Sequence, residues 1–361
     1  MVGTGFGQKV HIPAFQAHSA TRAVAVYHRD LAKARAIADT HEIPHACDSV
    51  EQIVTLPEVQ GVSICTPPFL HYQMAKTVLQ AGKHLLLEKP TTLIAAEAKD
   101  LSKLALARGL STTLNFEFRY VPAWLRLKEL LSNGYVGQKR LIKVDWLVSG
   151  RADATRPWNW QASKQLGGGA LGALGSHTFD YIAWLFGPIK RLCARFSTAI
   201  PFRPDPVSGL LKPVDADDTC SLLLEMMDGT SCQICISFVT NQGRGHWVEV
   251  YGDRGTLILG SDNQKDYVHG FRLWASPAGE VLEEAEIPER LAFAKTFKDG
   301  RIAPFIRVCD RWVESIHSGQ TLAPSLREGV YSQLLMDLAH QSHALKGWVD
   351  VPDFDEFLTD K

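Results

Sequence analysis

The chain has 361 residues, a formal net charge of −1, 45% hydrophobic and 21% charged residues. That length exceeds one ordinary core, so two domains are expected. The near-neutral charge gives no electrostatic case for nucleic acid or an anionic membrane as partner. No apolar run approaches the roughly 20 residues needed to span a bilayer, and no secretory signal is visible. Seven scattered cysteines fit reduced thiols in a cytoplasmic protein better than a disulfide framework.

The chain opens on Met1-Val2-Gly3-Thr4-Gly5-Phe6-Gly7. Glycines at 3 and 5 allow a tight turn and a close backbone approach to a pyrophosphate. Gln8 to His18 then reads as the start of a helix whose N-terminus would face the phosphates. Gln8 holds the third fingerprint position, where Gly or Ala is usual. Only Met1-Val2 precedes the turn, roughly 7 Å of chain against the 17–20 Å of an ordinary strand. The expectation is that the natural start lies several residues upstream, and that restoring them raises solubility and stability.

Strand candidates follow at Ala23–Tyr27, Val62–Cys65, Lys83–Leu87 and Ser111–Phe116. Helical patterns run over Leu31–Thr40, His71–Ala81 and Ala95–Arg108. Regular alternation of strand and helix implies parallel βαβ units and a doubly wound sheet over residues 1–118, a nucleotide-binding domain. Ligands collect at the C-terminal ends of such strands. Those ends here are Gly3–Gly7, Thr66-Pro67 with His71, and Glu88-Lys89-Pro90. A lysine there can hold a substrate oxygen or relay a proton; alone on a strand end it is more often a solvated charge.

From 119 to 361 the pattern changes to a second domain. A helix over Pro122–Asn133 leads to longer strands at Arg140–Val148, Arg191–Ala199, Thr219–Met226, Ser231–Val239, Val248–Gly252 and Thr256–Leu259. Short Gly turns join several, as between antiparallel neighbours. The expected domain is α+β with a large, mostly antiparallel open sheet. Such a sheet commonly needs a cover on its second face, so a homodimer or homotetramer is expected. Ile306–Leu345 is the last helical region. Cys232 and Cys235 form a CxxC, but on a strand they point to opposite faces, so no metal site is expected.

Trp158-Asn159-Trp160 precedes the run from Gly167 to Asp180. From Ser176 a helix is clear, with Phe179, Ile182, Ala183 and Phe186 as its apolar stripe. His177 and Asp180 fall one turn apart near its start. His177 can give or take a proton, or be a helix-start histidine facing solvent. Trp158, Asn159 and Trp160 can line a sugar pocket, or pack under the glycine run.

These segments, with Ala81-Gly82-Lys83-His84 and Trp184-Leu185-Phe186-Gly187, resemble the Gfo/Idh/MocA family (glucose–fructose oxidoreductase, inositol dehydrogenase, rhizopine catabolism) over essentially the full chain. The resemblance implies a Rossmann domain plus a C-terminal α/β domain with an open sheet, used for substrate binding and oligomerisation. It implies NAD(P)-dependent hydride transfer at a carbinol or carbonyl carbon of a sugar, polyol or related small molecule. It maps the family's catalytic lysine onto Lys89 and its acid/base histidine onto His177, and it suggests a cis peptide before Pro90. The expected nucleotide contacts are Gly3, Thr4, Gly5, Phe6, Gly7, His28, Arg29, Thr66, Pro67, His71, Glu88 and Lys89. Trp158, Asn159, Trp160 and Asp180 are the expected substrate contacts.

Two further departures bear on function. The family's aspartate four residues before the histidine is Ala173 here. The strand end Val26-Tyr27-His28-Arg29 lacks the carboxylate that usually bonds the NAD ribose. Arg29 could meet a 2′-phosphate bidentately, so NADP(H) is expected over NAD(H). Competing readings are a non-catalytic NADP-binding sensor and a glycosidase that recycles bound NAD.

Overall fold

The computed structural model describes residues 1–263 and 267–359. The chain forms two compact units. One comprises Met1–Tyr120 with Lys295–Gln333, the other Val121–Ala294 with Leu334–Lys361. A cut at 118/119 therefore omits a return of the chain to the first unit. The return is driven by the helix Ile302–Ser318, whose Ile302, Phe305, Val308, Cys309 and Trp312 form one apolar row. That row packs on Val10, Ala14, Phe15 and Leu86. Burying each large side chain of the row stabilises by roughly 1.5–3 kcal/mol.

In the first unit the strands are β1 (Ala25–Tyr27), β2 (His45–Cys47), β3 (Gly61–Ile64), β4 (His84–Leu87) and β5 (Thr112–Leu114). β1 pairs with β2, β3 with β4 and β4 with β5, all parallel. Val2 makes a single parallel bridge to Tyr27 on one side and to Ile64 on the other. One residue thus stands between β1 and β3, where a doubly wound sheet ordinarily has a full strand, in line with the short lead of Met1-Val2. Helices α1 (Ile12–Ala17), α2 (Leu31–Thr40), α3 (Val50–Thr55), α4 (His71–Gln80) and α5 (Ala95–Ala107) alternate with these strands. β4 is apolar on both faces, as a strand in a covered parallel sheet requires: Leu85, Leu86 and Leu87 are all fully buried.

The second unit opens with α6 (Pro122–Ser132), β6 (Lys139–Leu147), α7 (Ser176–Phe186) and β7 (Ile189–Ser197). A hairpin follows, β8 (Phe202–Pro204) with β9 (Leu211–Pro213). Then come β10 (Thr219–Met226), β11 (Ser231–Ser237), β12 (Gly245–Gly252), β13 (Gly255–Ser261), β14 (Arg272–Pro277), β15 (Glu283–Glu284) and β16 (Val349–Asp350). Nine of these form one sheet in the order β15-β14-β13-β12-β6-β11-β10-β7-β16. Its pairs are antiparallel except β6 with β11. On β10, Cys220, Leu222, Leu224 and Met226 are buried while Ser221 and Leu223 are exposed. Alternation of this kind leaves one face of the sheet covered and the other open. Cys232 is buried and Cys235 half-buried on β11, on opposite faces as expected.

Candidate active site

The nucleotide turn comes first in the chain and in the construction of the site. Gly3 has φ +98°, and a Cβ there would lie 2.6 Å from the backbone carbon of Cys65. Only glycine fits that close crossing. The Cys65 thiol donates to the Gly3 carbonyl at 3.0 Å. A Cβ on Gly5 would meet nothing within 4 Å, so the backbone there faces open space, as a phosphate cradle requires. Gly7 is the close-packed residue, since a Cβ on it would strike Cys65 Sγ and the Met1 side chain. The packing role expected of position 8 thus falls on Gly7. The chain absorbs the one-residue offset with a π-helical turn, Gly7–His11, leading into α1. Gln8 is left half-buried, its amide 3.5 Å from His41. Phe6 lies under the Arg301 guanidinium, 5.0 Å from the ring centroid.

At the end of β1, Arg29 is exposed, with no hydrogen-bond or ion-pair partner among the described residues. The Asp30 carboxylate caps α2, accepting from the Ala32 and Lys33 N–H groups. His28 Nδ1 accepts the Asp30 N–H at 2.9 Å. The carboxylate that follows Arg29 in the chain is therefore committed to a helix cap.

The ends of β3 and β4 are held together by buried histidines. His71 is fully buried, its Nε2 2.7 Å from the Thr66 carbonyl and its Nδ1 2.9 Å from that of Pro90. Burial pushes this imidazole below its ordinary pKa, against the two carbonyls, which favour the charge. Lys89–Pro90 is a cis peptide, as the resemblance suggested. Glu88 is buried, with Oε1 accepting from His11 Nε2 at 2.9 Å and from Asn115 Nδ2 at 2.5 Å. Burial alone would raise the Glu88 carboxyl; those bonds and the Lys89 charge outweigh it and hold the group below its usual range. Its side chain is thus committed inside the unit, whereas a nucleotide contact was expected. Lys89 is half-buried. Desolvation pushes its ammonium below the ordinary lysine value, and Arg301 adds to that; Glu88 and Glu117 pull the other way. His11 and Asn115 were not singled out in the sequence. The spacing of His11, four residues past Gly7 on the same helical segment, is the one signal that could have marked it.

In the second unit a second π-helical turn, Leu171–Gly175, leads directly into α7. The Asp217 carboxylate accepts the Leu171 N–H at 2.8 Å and the Cys220 thiol at 2.9 Å, and its own carbonyl accepts from Ala170 at 2.9 Å. Asp217 therefore caps the segment that carries His177, a role not visible in the sequence. His177 and Asp180 are both buried, one turn apart on α7. Trp146 of β6 lies 6.2 Å from the His177 ring and stacks at 3.9 Å and 4° on His246. The Tyr181 hydroxyl is 3.0 Å from His246 Nε2. Ala173 falls inside the π-helical turn.

The Trp158–Trp160 segment is tied down locally. Trp158 donates its backbone N–H to Pro204 at 2.7 Å and its indole N–H to Pro213 at 3.0 Å, with Lys212 over the ring at 3.5 Å. It anchors the β8–β9 hairpin. Asn159 Oδ1 accepts the Gln161 N–H at 3.0 Å and caps a short turn that contains Trp160; it also accepts from Arg151. These contacts hold the segment against the β8–β9 hairpin and Arg151.

A glycine turn with an open phosphate cradle, a parallel sheet and a desolvated lysine at a strand end define a nucleotide-dependent oxidoreductase. Residues 1–116 match the oxidoreductase family's NAD-binding Rossmann fold, and residues 128–351 match its C-terminal alpha/beta domain. The chain belongs to the Gfo/Idh/MocA oxidoreductase family. It is 55% identical to an uncharacterized oxidoreductase of Synechocystis over 99% of this chain and 97% of the relative. It is 25% identical to the levoglucosan dehydrogenase of Pseudarthrobacter phenanthrenivorans over 83% of this chain and 82% of that one. The solved structure of levoglucosan dehydrogenase with NADH and L-sorbose superposes with a TM-score of 0.88 at 23% identity, covering 97% of each chain.

Proposed function

We infer that this oxidoreductase is an NADP(H)-preferring dehydrogenase or reductase of a sugar, polyol or related small carbonyl compound. The observation that carries it is the half-buried Lys89 at the end of β4, with its ammonium desolvated and its neighbours on both sides pinned. Gly3–Gly7 would hold the pyrophosphate and Arg29 the 2′-phosphate. When bound, the nicotinamide supplies the redox half of the reaction by taking up or giving back a hydride. Lys89 holds the substrate oxygen by hydrogen bonding and stabilises negative charge developing on it. His177 gives or takes the hydroxyl proton, with the Trp146 ring beside it limiting its hydration.

The sugar class is supported by levoglucosan dehydrogenase among the relatives. That enzyme's structure carries NADH; the NADP(H) preference here rests on exposed Arg29 and on the commitment of Asp30 to a helix cap. A second copy over the open face of the sheet, giving a homodimer or homotetramer, is supported by the exposed Leu223 on that face. A cytoplasmic location accords with the reduced cysteines. No helix among the described residues is long and apolar enough to cross a membrane.

The test is nicotinamide absorbance with both nucleotides against sugars, polyols and dicarbonyls in both directions, with Lys89→Met as control. Turnover that vanishes in the control supports the assignment. Turnover that persists removes Lys89 from the chemistry, and silence across the panel from nucleotide-binding protein removes the dehydrogenase reading.

A further inference from the structure

His11 occupies a place that packing alone does not explain. It is the last residue of the π-helical turn that begins at Gly7, and it is fully buried. Its ring stacks on Phe305 at 3.9 Å and meets Phe6 edge-on at 5.4 Å. A phenylalanine would satisfy both of those contacts. Only an imidazole satisfies the other two: Nε2 lies 2.9 Å from Glu88 Oε1, and Nδ1 lies 2.8 Å from Ser63 Oγ. The carboxylate can only accept, so Nε2 carries the proton and donates. Nδ1 then accepts the Ser63 hydroxyl proton. Glu88 Oε2, in turn, accepts the Lys89 backbone N–H at 3.3 Å.

These contacts make a continuous line from the nucleotide turn to the lysine: Phe6, His11, Glu88, Lys89. A buried carboxylate that loses His11 and keeps Asn115 as its one remaining side-chain donor is driven to shift or to take up a proton, and the Lys89 backbone N–H hangs directly on that carboxylate. We propose that His11 is a positioning residue that, through Glu88, sets where Lys89 stands and ties that setting to the nucleotide turn from which it projects. The proposal rests on the role given to Lys89 above.

His11→Phe keeps the ring stack and removes both hydrogen bonds. His11→Gln can restore a donor toward Glu88. Glu88→Gln keeps the shape and removes the charge. Each full-length variant is measured for melting temperature, for nucleotide dissociation constant by reduced-nucleotide fluorescence, and for kcat at saturation. The expected result for His11→Phe is a kcat lowered by about 10- to 100-fold, the scale of an ångström-level misplacement of a reacting group. Nucleotide affinity should stay within about threefold, well short of the tenfold that a lost charged hydrogen bond gives. His11→Gln should recover most of the kcat, Glu88→Gln should reproduce the loss, and the double variant His11→Phe/Glu88→Gln should be no slower than the slower single one.

A folded His11→Phe protein with wild-type kcat overturns the proposal. So does a His11→Gln protein as slow as His11→Phe, because packing would then be the cause. Should His11→Phe fail to fold, a Glu88→Gln protein of wild-type kcat overturns it equally. Lys89→Met run in parallel separates the two levels. If it retains turnover, the role of Lys89 fails and His11 falls with it. If it is inactive while His11→Phe is unchanged, only the His11 inference fails.

Discussion

The carboxylate of Asp217 accepts the backbone N–H of Leu171 at 2.8 Å, so a residue 46 positions away holds the start of the segment that ends in His177. Asp217 is half-buried, and desolvation pushes its carboxyl up; the Cys220 thiol and the Leu171 amide act against that. Asp217→Ala should cost about 1–2 kcal/mol, as loss of a helix cap does. It should also lower kcat more than it raises KM, because the histidine loses its placement rather than the substrate its contacts. Asp217→Asn, which keeps an acceptor oxygen, should restore most of both. Denaturant titration and steady-state kinetics on the two variants check this, and equal losses for both would remove the cap from the explanation.

Lys89 gives a pH prediction with a definite sign. Its pKa is lowered, chiefly by desolvation, so the ammonium is present below that value and lost above it. Turnover that needs the ammonium should therefore decline as pH rises, at a midpoint below the ordinary lysine value of about 10.4. Lys89→Met should lower kcat by about 10²- to 10⁴-fold, the range of a lost acid–base or oxyanion group, and abolish that limb of the profile. A limb that survives the substitution belongs to another group.

Arg29 should decide the nucleotide. Arg29→Ala is expected to reduce the ratio of NADPH to NADH affinity by about tenfold, the worth of one charge-assisted hydrogen bond. Fluorescence titration with both nucleotides measures it. An unchanged ratio, or tighter NADH binding by the parent protein, would refute the preference.

His246 should make the second unit sensitive to acid. It is buried between Trp146, Tyr181 and Phe271, and burial pushes its pKa down to about 3 from an ordinary 6.5. Below pH 6.5 the unfolded chain takes up a proton that the folded one refuses, so stability is complete above that pH and falls on acidification toward 3. At about 1.4 kcal/mol per pH unit, roughly 3 kcal/mol should be lost two units below 6.5. Urea denaturation at a series of pH values should show a slope reduced by one proton in His246→Phe. An identical slope in the variant would assign the acid sensitivity elsewhere.

The sheet of each unit was legible where periodicity was strong. Thr219–Met226 was read with its observed bounds, and the neighbouring long strands within about two or three residues, because alternating burial writes itself into the residue order. His45–Cys47 escaped because three residues with a histidine and an alanine carry no alternation. One helical region over Ile306–Leu345 proved to be two helices. Gly319 adopts φ +67° and ends the first of them, a left-handed stop typical of a helix C-terminus. Pro304 hid the true start at Ile302, although proline is tolerated in a first turn. At the site, Lys89 and the glycines were marked by motif. His11, Asn115 and Asp217 were not, because each acts through a hydrogen bond to a residue distant in the chain, and sequence spacing does not record such pairs.

Both π-helical turns lie beside a buried histidine: Gly7–His11 ends on His11, and Leu171–Gly175 runs into α7, which carries His177. Such a turn holds one residue more than the α-helical path around it. Deleting a single residue there would leave the helix downstream in register and re-phase only what lies upstream. A shortened variant such as a deletion of Ala173 should therefore fold with α7 intact while swinging the glycine run relative to His177. The first turn has no such freedom, since Gly7 is packed on Cys65 and Met1 and His11 is bonded on both sides; the reach between the glycine run and His177 is thus the one length that a single residue can retune.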